Sequence, residues 1–318
     1  MNVSLHGFRK WGVIALLSAL WLPSLHAAPV RDDVARAVKA MGGAAALQAL
    51  HSIAIVAQGT TYRPAPDGKT AAPYGRWRFV VQRDLVSGAT RIDWEHSAPG
   101  LGPAVYRYSE IMSGGMGYFT TADPDEQRQV VISTGPSEPA PGRFMAPDRV
   151  AQNLRELARQ SPRLLLEMSE HKEAVAPLPA QRVGERRLPA VSFATTSARY
   201  VVMFDPHTGL PVVIRTNEFG QPYDLVLGDW RDAGGLKLAC ALTYRLNGRD
   251  VMRIQYEQVT LNPAFGAETF SMPTPARSWS TEPVGPGGLY QGSVGGADVV
   301  TSGGIPPGLL PYVLLKMK

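Results

Sequence analysis

The sequence predicts an α+β fold, with one extended antiparallel β-sheet of about eleven strands and helices against one of its faces. Three observations lead there. Segments rich in β-branched and aromatic residues recur from Ile53 to Leu261, broken by Gly, Pro, Asp and Ser, and several alternate polar with apolar residues. Few segments carry a helical period, too few to alternate with the strands in a βαβ pattern. Tight hairpin connectors, DPHTG at 205–209 and NGRD at 247–250, join strands directly.

Residues 1–27 read as a secretory signal peptide. Arg9-Lys10 is its basic start, Trp11 to Leu22 its apolar run, and LPSLHA ends in small residues. The run is shorter than the roughly 20 residues a spanning helix needs. Cleavage is expected after Ala27, because cutting after Ala28 would leave Pro29 at the next position. No later stretch reaches a transmembrane length, so the mature chain is expected to lack a transmembrane segment and to be periplasmic or secreted.

Next, Val30, Val34, Ala37, Val38 and Met41 recur at helical spacing, with Asp32 and Asp33 in the first turn. Gly42-Gly43 ends this helix, since Gly takes left-handed backbone at no steric cost. A short second helix, Ala44 to Leu50, leads into a strand from Ile53. Further strands are expected at 76–83, 90–96, 105–112, 117–121 and 129–133.

The period then changes. Met145-Ala-Pro-Asp opens a helix running to Gln160, with Pro147 suited to the first turn and Val150, Leu154, Leu157 and Ala158 as its apolar stripe. Arg149, Asn153, Arg155, Glu156 and Arg159 fall largely off that stripe. Ser161-Pro162 interrupts the pattern, and RLLLEMSEHK continues it. After APLPAQ, read as a proline-rich connection, strands resume at 190–195, 199–204, 212–217, 223–231, 236–246 and 251–261. The expected single domain is 28–273. From 274 to 318 the chain is dense in Gly, Pro and Ser and is expected to be a disordered tail.

DPHT poses the sharpest chemical question, since Asp205, His207 and Thr208 crowd together. The reading here is a turn: Asp bonds backbone two residues on, Pro presets φ, and Gly209 accepts φ > 0. His207 then sits at a hairpin tip with no partner to orient it, and a general base needs one.

Composition excludes several function classes. A hydrophobic fraction of 44% over 318 residues supports a real core. The formal charge of +5 includes Arg9 and Lys10, which leave with the signal. What remains is too weak for a nucleic-acid binder, and no basic run is interleaved with aromatics. The single cysteine, Cys240, rules out an intramolecular disulfide and lies far from any lipid-anchoring position. It shares an alternate set with Leu236, Leu238, Leu242 and Tyr244, as a buried structural thiol would. The histidines are scattered, with no His-x-His and no His-Glu-x-x-His. Neither a Gly-x-Ser-x-Gly elbow nor a nucleotide-binding glycine loop occurs. Asp123, Asp125 and Glu126 form a DPDE loop of solvated type. Neither metal nor cofactor nor catalytic residue is expected, and the chain is read as a non-enzyme.

The order of elements, with YVVMFDPHTGLPVVI, DWRDAGGLKLACALTY and LNPAFGAETFSMP, resembles the periplasmic lipoprotein-carrier (LolA/LolB-like) fold. The resemblance implies a strongly curved half-barrel sheet, lidded by helices, whose lining takes up acyl chains. AVKAMGGAAALQALHSIAIVAQG, LRELARQSPRLLLEM and DWRDAGGLKL are in turn similar to the N-terminal extension of some secreted metallo-β-lactamase-fold hydrolases. The metal-binding cluster of those enzymes is missing here, which would make this the accessory or remnant part alone.

A half-barrel cannot fill its own concave face, so helices or a ligand must cover it. The leading expectation is a binder of a lipid, acyl chain or other apolar small molecule. The alternative is an accessory domain that works with a hydrolase, or an envelope-protein partner. The candidate cavity residues are Trp77, Phe79, Ile92, Trp94, Tyr106, Tyr108, Phe119, Leu154, Leu157, Phe193, Phe204, Trp230 and Tyr244, with Met203 beside them in the sequence pattern.

Overall fold

The computed structural model describes residues 30–64, 71–97, 105–121, 141–145, 147–218, 220–273, 277–279, 289–294 and 297–302. The N-terminal half supplies β1 (Ser52–Pro64), β2 (Ala71–Asp84), β3 (Thr90–Ser97), β4 (Tyr106–Ser113), β5 (Met116–Thr121) and β6 (Pro141–Phe144). The C-terminal half supplies β7 (Val175–Val183), β8 (Arg186–Ala194), β9 (Arg199–Phe204), β10 (Pro211–Glu218), β11 (Gln221–Ala233), β12 (Leu236–Leu246) and β13 (Arg249–Leu261). They form one antiparallel sheet of thirteen strands, in the order β6-β5-β4-β3-β2-β1-β13-β12-β11-β10-β9-β8-β7.

Each half is a plain meander, and β1 against β13 joins the two, pairing Ile53 with Leu261. Among the described residues the sheet is not closed: β6 and β7 are its edges, and the chain between them crosses the sheet as helices. These are α3 (Pro147–Gln160) and α4 (Leu164–Glu170), preceded in the chain by α1 (Val30–Ala40) and α2 (Ala44–Gln48). Pro147 begins α3, where its missing N–H is no loss.

The α+β class with helices on one face of a curved sheet is the one the sequence predicts. β6 and β7 are the two strands of this sheet that the sequence reading did not place. APLPAQ lies inside β7, not in a connection as expected. An edge strand pairs on one side only, so Pro177 and Pro179 cost little there, and the register shifts between Leu178 and Gln181. The strand expected at 129–133 and the signal segment 1–27 lie outside the described residues. Within the glycine-rich C-terminal segment, β14 (Arg277–Trp279), β15 (Leu289–Val294) and β16 (Ala297–Ser302) pair as a separate sheet.

The core lies between the helices and one sheet face. Ile53, Ile55 and Ala57 of β1, Val202 and Phe204 of β9 and Leu238 to Tyr244 of β12 bury against Val34, Ala37 and Met41 of α1 and Leu164 to Met168 of α4. Gly42 fixes how closely α1 docks. Its φ is 119, and a Cβ there would lie 2.3 Å from the Gly235 carbonyl oxygen in the β11–β12 turn. The neighbouring Lys237 N–H donates to the Met41 carbonyl at 3.1 Å. The AMGG and DAGGLKL motifs therefore meet in space.

Candidate functional site

A cavity of ≈ 80 Å³ remains under the helices. Its walls come from β1, β2 and β10 to β13, and its roof from α3, α4 and the Ser161-Pro162 break between them. Six adjacent strands laid flat would span about 24 Å. All six meet one small cavity, so the sheet must curl around it. Ile53, Ile55, Val81, Ile214, Leu238 and Leu242 make the wall apolar.

Polar bonds from both wings of the sheet fasten α3 above this space. On one side Arg83 of β2 donates Nη1–H to the Leu157 carbonyl at 2.6 Å. On the other, Arg159 donates from Nη1 to Thr216 Oγ1 of β10 at 3.0 Å and to the Tyr223 carbonyl of β11 at 3.1 Å. Gln160 Nε2 donates to the Tyr244 hydroxyl, and the Tyr200 hydroxyl donates to the Arg155 carbonyl. The proline break after Gln160 turns the chain so that α4 can enter the core.

Arg159 is 1% exposed. Its guanidinium pairs with Glu156 at 2.6 Å and lies over the Tyr223 and Tyr244 rings at 4.7 and 5.3 Å. Burial by itself would lower its pKa. Glu156 and Tyr244 more than offset this and hold it above the ordinary value. Arg83 is pushed down to about 10 by burial, with Glu167 pulling it back, so it stays charged at neutral pH. The Nε–H groups of Arg83 and Arg159 are buried and make no hydrogen bond. Burial raises the Tyr244 and Tyr256 phenols well out of reach of neutral pH.

The sequence-predicted residues scatter around this site. Leu157 and Trp230 line the cavity. Phe79, Ile92, Phe193, Phe204 and Tyr244 are buried in the same core, as is Cys240, while Met203 is buried in a separate cluster with Leu188, Ala190 and Val213. Tyr108 and Phe119 bury with Met145 and Val150 in another cluster, against which Trp77 and Trp94 pack. Leu154 is 37% exposed and does not reach the cavity. The side chain of Tyr106 lies outside the described residues.

Sequence reasoning missed Arg83, Arg159, Gln160 and Tyr256. Arg83 carried a signal, since it falls on the same alternate set of β2 as Trp77, Phe79 and Val81 and so shares their inward face. For Arg159 the helical period misleads. It places the residue on a polar face, yet α3 is covered on that side too by β10 and β11.

The DPHT turn is settled by its hydrogen bonds. Asp205 Oδ1 accepts from the backbone N–H groups of His207 and Thr208 at 2.9 and 3.0 Å, and Oδ2 accepts from Arg186 at 2.7 Å. His207 is exposed. Among the described residues no group of three or more His, Cys, Asp and Glu could hold a metal ion. Among them, too, no helix is long and apolar enough to cross a membrane.

These features define an open, curved antiparallel sheet with helices packed over its concave face. No family model matches the chain, and no curated protein matches it. Among solved structures it is similar to a LolA superfamily protein from Nitrosomonas europaea, at 11% identity and a TM-score of 0.43 over 76% of this chain and 97% of that one. It is also similar to a DUF1329 family protein from Desulfovibrio piger, at 10% identity and a TM-score of 0.36 over 76% of this chain and 97% of that one.

Proposed function

We infer that this is a non-catalytic carrier or receptor that holds a lipid, acyl chain or similar apolar ligand beneath α3. The observation that supports it is the cavity itself, walled by apolar side chains of six adjacent strands and roofed by a helix fastened to both wings. Small-molecule sites are concave and mostly apolar with a few placed polar groups. At about 10–15 Å³ per water, the space admits roughly five to eight water-sized units. That suits a short chain or the end of a longer one, and a longer chain requires α3 to lift. The signal-like pattern of the first 27 residues supports a periplasmic or secreted carrier.

Native mass spectrometry of protein purified from its own envelope, followed by thermal shift of the delipidated protein with fatty acids and phospholipids, tests this reading. A co-purifying lipid and a ligand-dependent rise in Tm are expected. An empty protein unmoved by every apolar ligand sinks it. N-terminal sequencing of the exported protein should begin near Ala28, and recovery of an intact Met1 would refute the export reading.

A further inference from the structure

Three buried tyrosines lie under α3, and two of them are already engaged. The Tyr244 hydroxyl accepts from Gln160 Nε2, and the Tyr200 hydroxyl donates to the Arg155 carbonyl. Tyr256 of β13 differs. It lines the cavity and is 9% exposed, yet its hydroxyl makes no hydrogen bond among the described residues. Nor is this O–H sealed away. The unpartnered polar atoms without accessible surface are Trp77 Nε1, Arg83 Nε, Trp94 Nε1 and Arg159 Nε, and the Tyr256 oxygen is not one of them. It therefore retains surface, and the surface that Tyr256 lines is the cavity.

What the hydroxyl lacks is an acceptor. Burial keeps the phenol protonated at neutral pH, so it stands as a donor in a wall of Ile53, Ile55, Val81 and Leu242. A ligand that brings an acceptor recovers the desolvation of that O–H. Its head should be uncharged. A carboxylate would give up its water for a cavity in which the Arg159 guanidinium is already held by Glu156, Thr216 and Tyr223, and Arg83 Nη1 by the Leu157 carbonyl. An ester carbonyl gives up far less.

We propose that Tyr256 selects an uncharged acyl ester, donating its O–H to the ester carbonyl while the acyl tail lies among Ile55, Ile214 and Leu242. This rests on the reading of the cavity as a ligand site and adds the head group of the ligand and the residue that reads it.

Delipidated protein is titrated calorimetrically with methyl octanoate and with octanoate, and the infrared carbonyl stretch of bound methyl octanoate, isotope-labelled at its carbonyl, is recorded. The ester is expected to bind more tightly than octanoate, and Tyr256→Phe to weaken ester binding roughly three- to tenfold, the worth of one hydrogen bond. In the wild type the carbonyl stretch should lie below its value in an alkane solvent, and in Tyr256→Phe it should return to that value. An ester whose affinity and carbonyl stretch ignore the substitution overturns this inference and leaves the apolar-carrier reading intact. Octanoate binding above the ester overturns it in the same way. Failure of both ligands, of longer fatty acids and of phospholipids sinks both readings. If Tyr256→Phe does not fold, the wild-type stretch decides the matter, and an alkane-like value there overturns the proposal.

Discussion

The Asp205 carboxylate organises its turn so strongly that its own acidity records the fact. The Thr208 N–H, then Arg186, then the His207 N–H hold its pKa at about 2 against an ordinary 3.8. A depressed carboxylate stabilises the fold fully above its unfolded pKa and loses that contribution as pH falls through its folded one. Asp205→Asn keeps an acceptor but not the charge. Its Tm should fall below that of the wild type at neutral pH, and the gap should close between about pH 4 and pH 2. A gap independent of pH would show that the charge is irrelevant. Gly209 sits beside it at φ 75, and a Cβ there would lie 2.8 Å from Arg36 Cγ. Gly209→Val should cost about 1 kcal/mol or more by denaturant unfolding, from left-handed strain on a β-branched residue. His207→Ala should leave stability and ligand binding unchanged, and a loss of binding with the fold intact would reopen a role for the imidazole.

At the scale of the element, α3 is held less by its apolar stripe than by its polar ends. Leu154 and Leu157 stand in the same sequence stripe, yet Leu154 is 37% exposed and Leu157 only 7%. The helix curves over two separate cores, Val150 meeting Phe119 and Met145 while Leu157 meets the cavity, so one stripe serves two surfaces. Leu154→Ala should therefore change stability by less than about 0.5 kcal/mol. Leu157→Ala should cost less than the roughly 2–5 kcal/mol of a rigid core site, because it enlarges an existing cavity. It should change ligand affinity more than Leu154→Ala does, measured by thermal shift with fatty acids and phospholipids. Equal effects from both changes would mean that α3 is not the roof of the site.

For the whole molecule, the join of β1 to β13 is decisive, because it pairs residues about 200 positions apart and unites two meanders into one sheet. Central strands are hydrogen-bonded on both sides and edge strands on one. Amide exchange should be slowest in β1, β12 and β13 and fastest in β6 and β7. Protection of β6 matching that of β1 would contradict the open-sheet order. Strands β14 to β16 form their own sheet and take no part in this one. Truncation after Pro273 should thus leave Tm unchanged, whereas truncation before Arg249 should abolish folding by removing β13. A large fall in Tm on the shorter cut would place the tail inside the domain.

Local chemistry was legible in the sequence wherever neighbours along the chain decide the outcome. Turn residues at 205–209 and 247–250, the glycine stop at 42–43, the proline break at 162 and the alternation in β12 all follow from backbone sterics and period. Cys240 was read as a buried thiol from its place among Leu238 and Leu242, and it is 4% exposed. Which face each strand presents was not legible, and so the aromatic candidates were gathered without being told apart. Asp229, at φ 49, interrupts the extended backbone just before Trp230, and no pattern of two predicts the side that follows. Only the curl of six strands around one volume brought Arg83 and Arg159 together across 76 positions, one from a strand and one from a helix. Their placement depends on burial from both wings at once, a property of the assembled sheet that no local period carries.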